Sequence, residues 1–200
     1  MPVSLVAGQN GNYTFSGTLG QTLGLGISGL STTPAGGNVT IAVNGPDSQL
    51  INCSSYTSTG GGCNLPALTS TGTYTVRVDP YTTYAAALTL TLSNDVSGTL
   101  IANAAVTPVS TTRSGQNARY TFSGTAGQNV SLLWTNSTFA GYWSYIRVYQ
   151  PDGKELTNTY FADTASGRGS GTLDMYGLPV TGTYPAFLDT YLCGRLSMGL

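Results

Sequence analysis

Apolar residues recur at every second position through most of this chain. Tyr13 and Phe15 alternate with Thr14 and Ser16, Leu23, Leu25 and Ile27 with Gly24 and Gly26, and Val39, Ile41 and Val43 with Thr40 and Ala42. Successive side chains on a strand point to opposite faces, so a period of two predicts strands with one buried and one wet face. The pattern returns in Tyr74, Val76 and Val78 and again in Leu88, Leu90 and Leu92, and no stretch carries helical spacing. Between the apolar runs, SGTLGQ, NGPD and STGG supply the Gly, Asn and Asp that backbone reversals favour.

The same phrase is written twice. GQNGNYTFSGTLGQ at 8–21 and GQNARYTFSGTAGQ at 115–128 differ at three positions, and the offset is 107 residues. GPD at 45–47 meets QPD at 150–152, and TGTY ending at Tyr74 meets TGTY ending at Tyr184, so the copies drift by small loop insertions. A period of this length exceeds any single solenoid unit and matches a whole domain. The sequence therefore predicts an all-β chain of two tandem antiparallel β-sandwich, jelly-roll-like domains, residues 1–94 and 113–200, with 95–112 as a linker or lead strand.

Composition narrows the partners. Charged residues make up 8% of the chain, with seven Lys plus Arg against eight Asp plus Glu, which leaves no electrostatic footprint for nucleic acid or an anionic membrane. A 40% apolar content with 10% aromatic residues argues for packed cores in spite of the abundant Gly. No apolar run approaches the roughly 20 residues of a spanning helix, so membrane insertion is not expected. The opening MPVSLVAGQN lacks the basic start and apolar centre of a signal peptide and reads as mature or recombinant material.

The order GQNxxYTFSGTxGQ, a strand ending in PDG, then LPxTGTY, resembles the tandem β-sandwich repeats of large secreted bacterial proteins, related to pre-peptidase C-terminal-like domains and often found beside YD-repeat (Rhs-type) sequences. The resemblance spans nearly the whole chain. It is carried by Gly115 to Phe122, Gly127 and Gln128, Pro151 to Gly153, and Leu178 to Tyr184, while the first copy departs at NGPDSQL and LTSTGTY. It implies a non-catalytic module that is extracellular or at the cell surface, and brings no catalytic residue with it.

The residues point the same way by themselves. There is no His, which removes the commonest general base and the usual zinc ligand. Glu155 is the only Glu, and Asp47, Asp79, Asp152 and Asp189 fall in turns or at strand ends, where Asp usually caps backbone amides. No DxDxDG-like run predicts a calcium loop. No enzyme activity, metal or cofactor is therefore expected.

Cys53 and Cys63 flank SSYTSTGGG, and the second copy has no Cys at the corresponding places. A local disulfide fits this loop and would imply an oxidising compartment; the alternative is two reduced, semi-buried thiols. Cys193 is left over, as a buried small hydrophobe or an intermolecular link, burial being the commoner outcome.

One face differs between the copies. Ile41 and Val43 correspond to Ile146 and Val148, so the outward set changes from Thr40, Ala42 and Asn44 to Tyr145, Arg147 and Tyr149. Phe139, Tyr142 and Trp143 lie just upstream and would enlarge this aromatic face. Such a face serves sheet packing, a protein interface or sugar stacking, and the company of Arg favours the first two.

The chain ends carry a second difference. The second copy is preceded by SNDVSGTLIANAAVTPVSTTRS, the first only by MPVSLVA. A sandwich short of a strand leaves backbone groups to be paired by a neighbour. The expectation is a head-to-tail fibre of identical subunits, an adhesion-type or structural surface filament. In it the Pro2, Val3, Ser4, Leu5, Val6 segment would add to the edge formed by Leu196, Ser197, Met198, Gly199 and Leu200. Two alternatives stay open: a carbohydrate- or protein-binding module of a secreted enzyme or giant surface protein, and a fragment of a longer array.

Overall fold

The structure, a computed structural model, describes residues 1–57, 60–139, 144–190 and 193–200. It is an all-β protein whose strands fall into two compact units, Met1–Asn94 with Arg113–Gly115, and Asp95–Thr112 with Gln116–Leu200.

The first unit holds β1 (Pro2–Leu5), β2 (Gly11–Gly17), β3 (Leu23–Thr33), β4 (Val39–Asn44), β5 (Leu50–Tyr56), β6 (Gly60–Leu65), β7 (Gly72–Pro80) and β8 (Ala85–Asn94). They form two four-stranded antiparallel sheets in the orders β1-β8-β3-β6 and β2-β7-β4-β5. The chain changes sheet at almost every step, which is the interleaving of a jelly roll. The second unit holds β9 (Val96–Thr99), β10 (Thr107–Ser110), β11 (Ala118–Gly124), β12 (Val130–Thr135), β13 (Ser144–Tyr149), β14 (Glu155–Phe161), β15 (Gly171–Met175), β16 (Gly182–Asp189) and β17 (Arg195–Gly199). Its sheets run β10-β17-β12-β15 and β14-β13-β16-β11-β9. Strand for strand this is the first unit repeated, with one addition: β9, which pairs parallel to β11. The 95–112 segment thus contributes two strands to the second unit.

Each core lies between its two sheets and is filled by the inward residues of most alternating runs. Ile41, Val43, Ile146 and Val148 are all buried, facing Leu25 and Ile27 in the first unit and Leu132 and Trp134 in the second.

The duplicated phrase has a physical reason. Its Gly20 and Gly127 adopt positive φ (79° and 80°), a left-handed turn that glycine enters without the Cβ penalty. The turn is then tied across the sandwich: Gly20 N donates to Leu68 O (2.7 Å) and Leu68 N to Gln21 O (2.9 Å), and Gly127, Leu178 and Gln128 repeat both bonds at 2.8 and 2.9 Å. The Gln21 and Gln128 side chains accept from the amides of Thr18 and Thr125. In TGTY the hydroxyls of Thr71 and Thr181 accept from the Leu19 and Ala126 amides. The hydroxyls of Tyr74 and Tyr184 donate to Ser70 O and Val180 O. Phe15 stacks on Tyr74 and Phe122 on Tyr184, both at 5.3 Å between centroids. GQ, YTF and TGTY are therefore one interlocked corner of the sandwich, which is why they recur together.

Candidate functional site

Cys53 and Cys63 form a disulfide that joins β5 to β6, and hence one sheet to the other along one side of the first unit. Ala42 faces Asn52 and Ile41 faces Ser54, so Cys53 is the extra residue of a β-bulge, free to turn towards β6. In the second unit Leu173 stands opposite Leu132 as Cys63 stands opposite Leu25. The bulge residue of β14 is Leu156, which packs, half-buried, against the apolar core that holds Leu173. Cys193 corrects the expectation of burial: it is exposed, in the connection just before β17. Among the described residues no group of His, Cys, Asp and Glu gathers in a metal-binding arrangement.

Tyr145, Arg147 and Tyr149 alternate along β13 with buried Ser144, Ile146 and Val148, and so share the outer face of the five-stranded sheet. Cross-strand register builds on them. Tyr160 of β14 lies opposite Tyr145, edge to face at 6.4 Å. Arg147 covers the Tyr145 ring at 4.9 Å, and Arg168 the Tyr160 ring at 4.0 Å. Glu155 accepts from Arg147 (3.2 Å) and from the Asn158 amide (2.7 Å). Partial burial, followed by the Glu155 charge, raises the pKa of the Tyr149 hydroxyl above its usual value of 10.0, against the opposing pull of Arg147 and Arg119. Phe139 does not belong to this face. It is buried, edge to face with Phe161 at 5.4 Å. Tyr142 and Trp143 lie outside the described residues.

A second row on the same sheet escaped the sequence. Arg147 and Arg119 both stand opposite Phe187, and Arg119 covers that ring at 4.2 Å. Arg119 Nε also reaches Asp95 Oδ2 at 2.6 Å, where the Asp95 side chain is 1% exposed. The one trace in the sequence was the replacement of Asn12 by Arg119 within the repeated phrase; its partner Asp95 is distant in sequence.

The two chain ends differ: β1 stands at the edge of its sheet, whereas the expected acceptor edge at Leu196–Leu200 is not free. Pro2 to Leu5 pair with Thr89 to Ala86 of β8, within their own sheet. Leu196 to Gly199 lie in β17, which has β10 on one side and β12 on the other. An interior strand has both backbone ladders filled, so Pro2–Val6 of another copy has no open edge to join there. The error arose because β1 is the counterpart of β10, the first strand of its own sandwich. The strand without a counterpart in the first unit is β9.

No protein-family model matches the chain, and no curated protein matches it either. Among solved structures the chain is similar to the CUB1-EGF-CUB2 domain of human MASP-1/3, at 7% identity and a TM-score of 0.30, over 100% of this chain and 98% of that one. It is also similar to the STIV MCP, at 8% identity and a TM-score of 0.24, over 99% of this chain and 93% of that one. Scores this low leave function to be read from the surfaces themselves.

Proposed function

We propose that this chain is a non-catalytic extracellular structural protein, a module of a bacterial surface fibre in which successive jelly rolls are joined by shared strands. The observation that carries the reading is β9. The chain leaves the last strand of its first unit at Asn94, and the next strand, Val96–Thr99, completes a sheet of the second unit. One sandwich's exit segment is thus the next sandwich's edge strand, a joint that can be repeated between chains by strand addition. A head-to-tail contact uses two different patches and so propagates unless it closes into a ring. The disulfide supports an oxidising compartment. A net charge of −1 lets many copies approach with little repulsion. The resemblance to secreted bacterial repeats supports the same location. Electron microscopy of concentrated native material tests the reading: filaments with a repeat of whole sandwiches are expected, and dispersed monomers at high concentration would overturn it.

The Tyr145–Tyr160 face favours a second reading, a carbohydrate- or protein-binding module. Tyr160 is 45% exposed under the Arg168 guanidinium and beside Tyr145, which Arg147 covers, a surface that suits stacking on a sugar or an interface aromatic.

A further inference from the structure

β2 and β11 share the run Tyr-Thr-Phe-Ser-Gly and the same neighbour on one side, β7 or β16, in the same register. Their other sides differ. β11 carries β9 there, with Val96 N donating to Asn117 O and Leu100 N to Thr121 O, both at 2.8 Å. β2 is the edge of its sheet.

The consequence shows in the side chains. Tyr120 and Phe122 are buried, and Leu100 is sealed into the same core at 3% exposure. Tyr13 and Phe15, their counterparts, are only half-buried. Beside them opens a cavity of about 310 Å³, lined chiefly by Tyr13, Phe15, Leu25, Val76 and Leu90. The corresponding residues of the second unit, Tyr120, Phe122, Leu132, Ala186 and Met198, all belong to the core that holds Leu100. The cavity is therefore the first unit's version of the slot that Leu100 fills in the second.

We infer that the open edge of β2 and this apolar cavity form an acceptor for an extended strand with the chemistry of residues 95–100, the exit segment of a neighbouring sandwich, parallel to β2 and with its leucine in the cavity. The inference deepens the fibre reading and rests on it for the donor, the exit segment of a neighbouring sandwich. The chain's own DVSGTL segment is engaged: Asp95 is paired with Arg119, Leu100 is buried, and Val96 packs on the core. That segment also defines what the edge accepts. Its outward Ser97 and Thr99 are exposed, and a β-carbon on Gly98 would come within 2.5 Å of the Tyr120 ring, so a small residue is required where the strand crosses the tyrosine. Tyr13 is the ring at the corresponding position; without a β9 equivalent it lies over Gly11 of its own strand, and a donor's glycine would take it in the same way. Asn12 stands where Arg119 does, and Arg77, opposite it on β7, is already paired with Asp79 at 2.7 Å, so the donor's Leu carries the specificity.

β1 and β10 pair with β8 and β17 in matching register, Val3 opposite Leu88 and Val109 opposite Leu196. Placing a copy of residues 95–106 directly before Met1 therefore gives a grafted strand the natural connection length to reach β2. In the full chain so extended, the Asn12 and Thr14 amides, which point to the open side as Arg119 and Thr121 point to β9, should exchange with deuterium at least about tenfold more slowly. The first unit's melting temperature should rise by about 5 °C or more. A graft with Ser in place of its leucine should lose both gains, and one with Asn in place of its aspartate should keep them. Unchanged Trp134 fluorescence checks that the second unit remains folded. A free peptide of residues 95–102, added to the unmodified chain, should slow exchange at the same two amides. No slowing in either format, or slowing that survives loss of the leucine, overturns the inference. Slow exchange of these amides in a dimer of the unmodified chain whose residues 95–100 all stay protected in place overturns it too, because the occupant would then be a strand of different chemistry. Filaments whose β2 amides exchange freely would leave the fibre reading standing and remove this one. A stabilising graft in a protein that never forms filaments would do the reverse.

Discussion

Removing the Cys53–Cys63 bridge should destabilise the first unit and leave the second untouched. The perturbation is the double substitution Cys53→Ser with Cys63→Ala, which avoids leaving a lone thiol. The bridge closes a loop with a sequence separation of 10 between β5 and β6. Chain-entropy loss from the unfolded state for such a loop amounts to about 2.7 kcal/mol. Cys63 is 4% exposed, and trimming its sulfur from the core adds at most about 1 kcal/mol. For a unit of this size a loss of about 3 kcal/mol lowers the melting temperature by roughly 10–20 °C. Both tryptophans, at 134 and 143, lie in the second half of the sequence, and Trp134 is buried in the second unit's core. Urea unfolding followed by tryptophan fluorescence thus reports the second unit, while far-UV circular dichroism reports both. The variant should show an early phase in circular dichroism and an unshifted fluorescence transition, and reduction of the unmodified protein should reproduce it. A loss below about 1 kcal/mol, or an equal shift in the tryptophan signal, would refute the view of the bridge as a local inter-sheet staple.

Arg119→Ala strips the partner from the nearly buried Asp95 carboxylate, whose Oδ1 has no hydrogen-bond partner among the described residues. It should cost the second unit about 3 kcal/mol, read from the tryptophan transition, with Asp95→Asn in the same background restoring part of the loss. Asp47 tests the PDG-type turn through pH. The Thr69 hydroxyl (2.5 Å) and then the Gln49 amide (3.2 Å) hold its pKa below the ordinary 3.8. A lowered folded pKa means that the stabilisation is present at neutral pH and is lost as pH falls below the usual carboxylate range. Asp47→Asn should flatten that part of the first unit's stability profile between pH 5 and about pH 2, followed by thermal melts.

Strand existence and facing were legible because both are local. An alternation such as Val39, Ile41, Val43 can bury only one face, and the structure buries those three and their counterparts Ile146 and Val148. The duplicated GQ, YTF and TGTY pieces likewise exposed a conserved corner of each sandwich, since the same short-range bonds and ring stack demand the same residues twice. The pairing of Cys53 with Cys63 followed from a short loop with a cysteine on each side.

Sheet order was not legible, because an edge strand and an interior strand carry the same period. Nothing local in Pro2–Val6 or Leu196–Leu200 tells the two apart, yet β1 ends its sheet beside β8 and β17 runs between β10 and β12. Nothing local in DVSGTL announces a parallel partner 22 residues downstream, nor that its leucine closes one core while the matching slot beside Tyr13 and Phe15 stays open. The stacking of Arg119 on Phe187 and the turn of Phe139 into the core are of the same kind. Alternation, turns and the short disulfide loop arise from neighbours along the chain, so the sequence determined them. Which strand ends a sheet, and what remains unpaired there, depends on contacts between distant segments, and only the tertiary structure decided it.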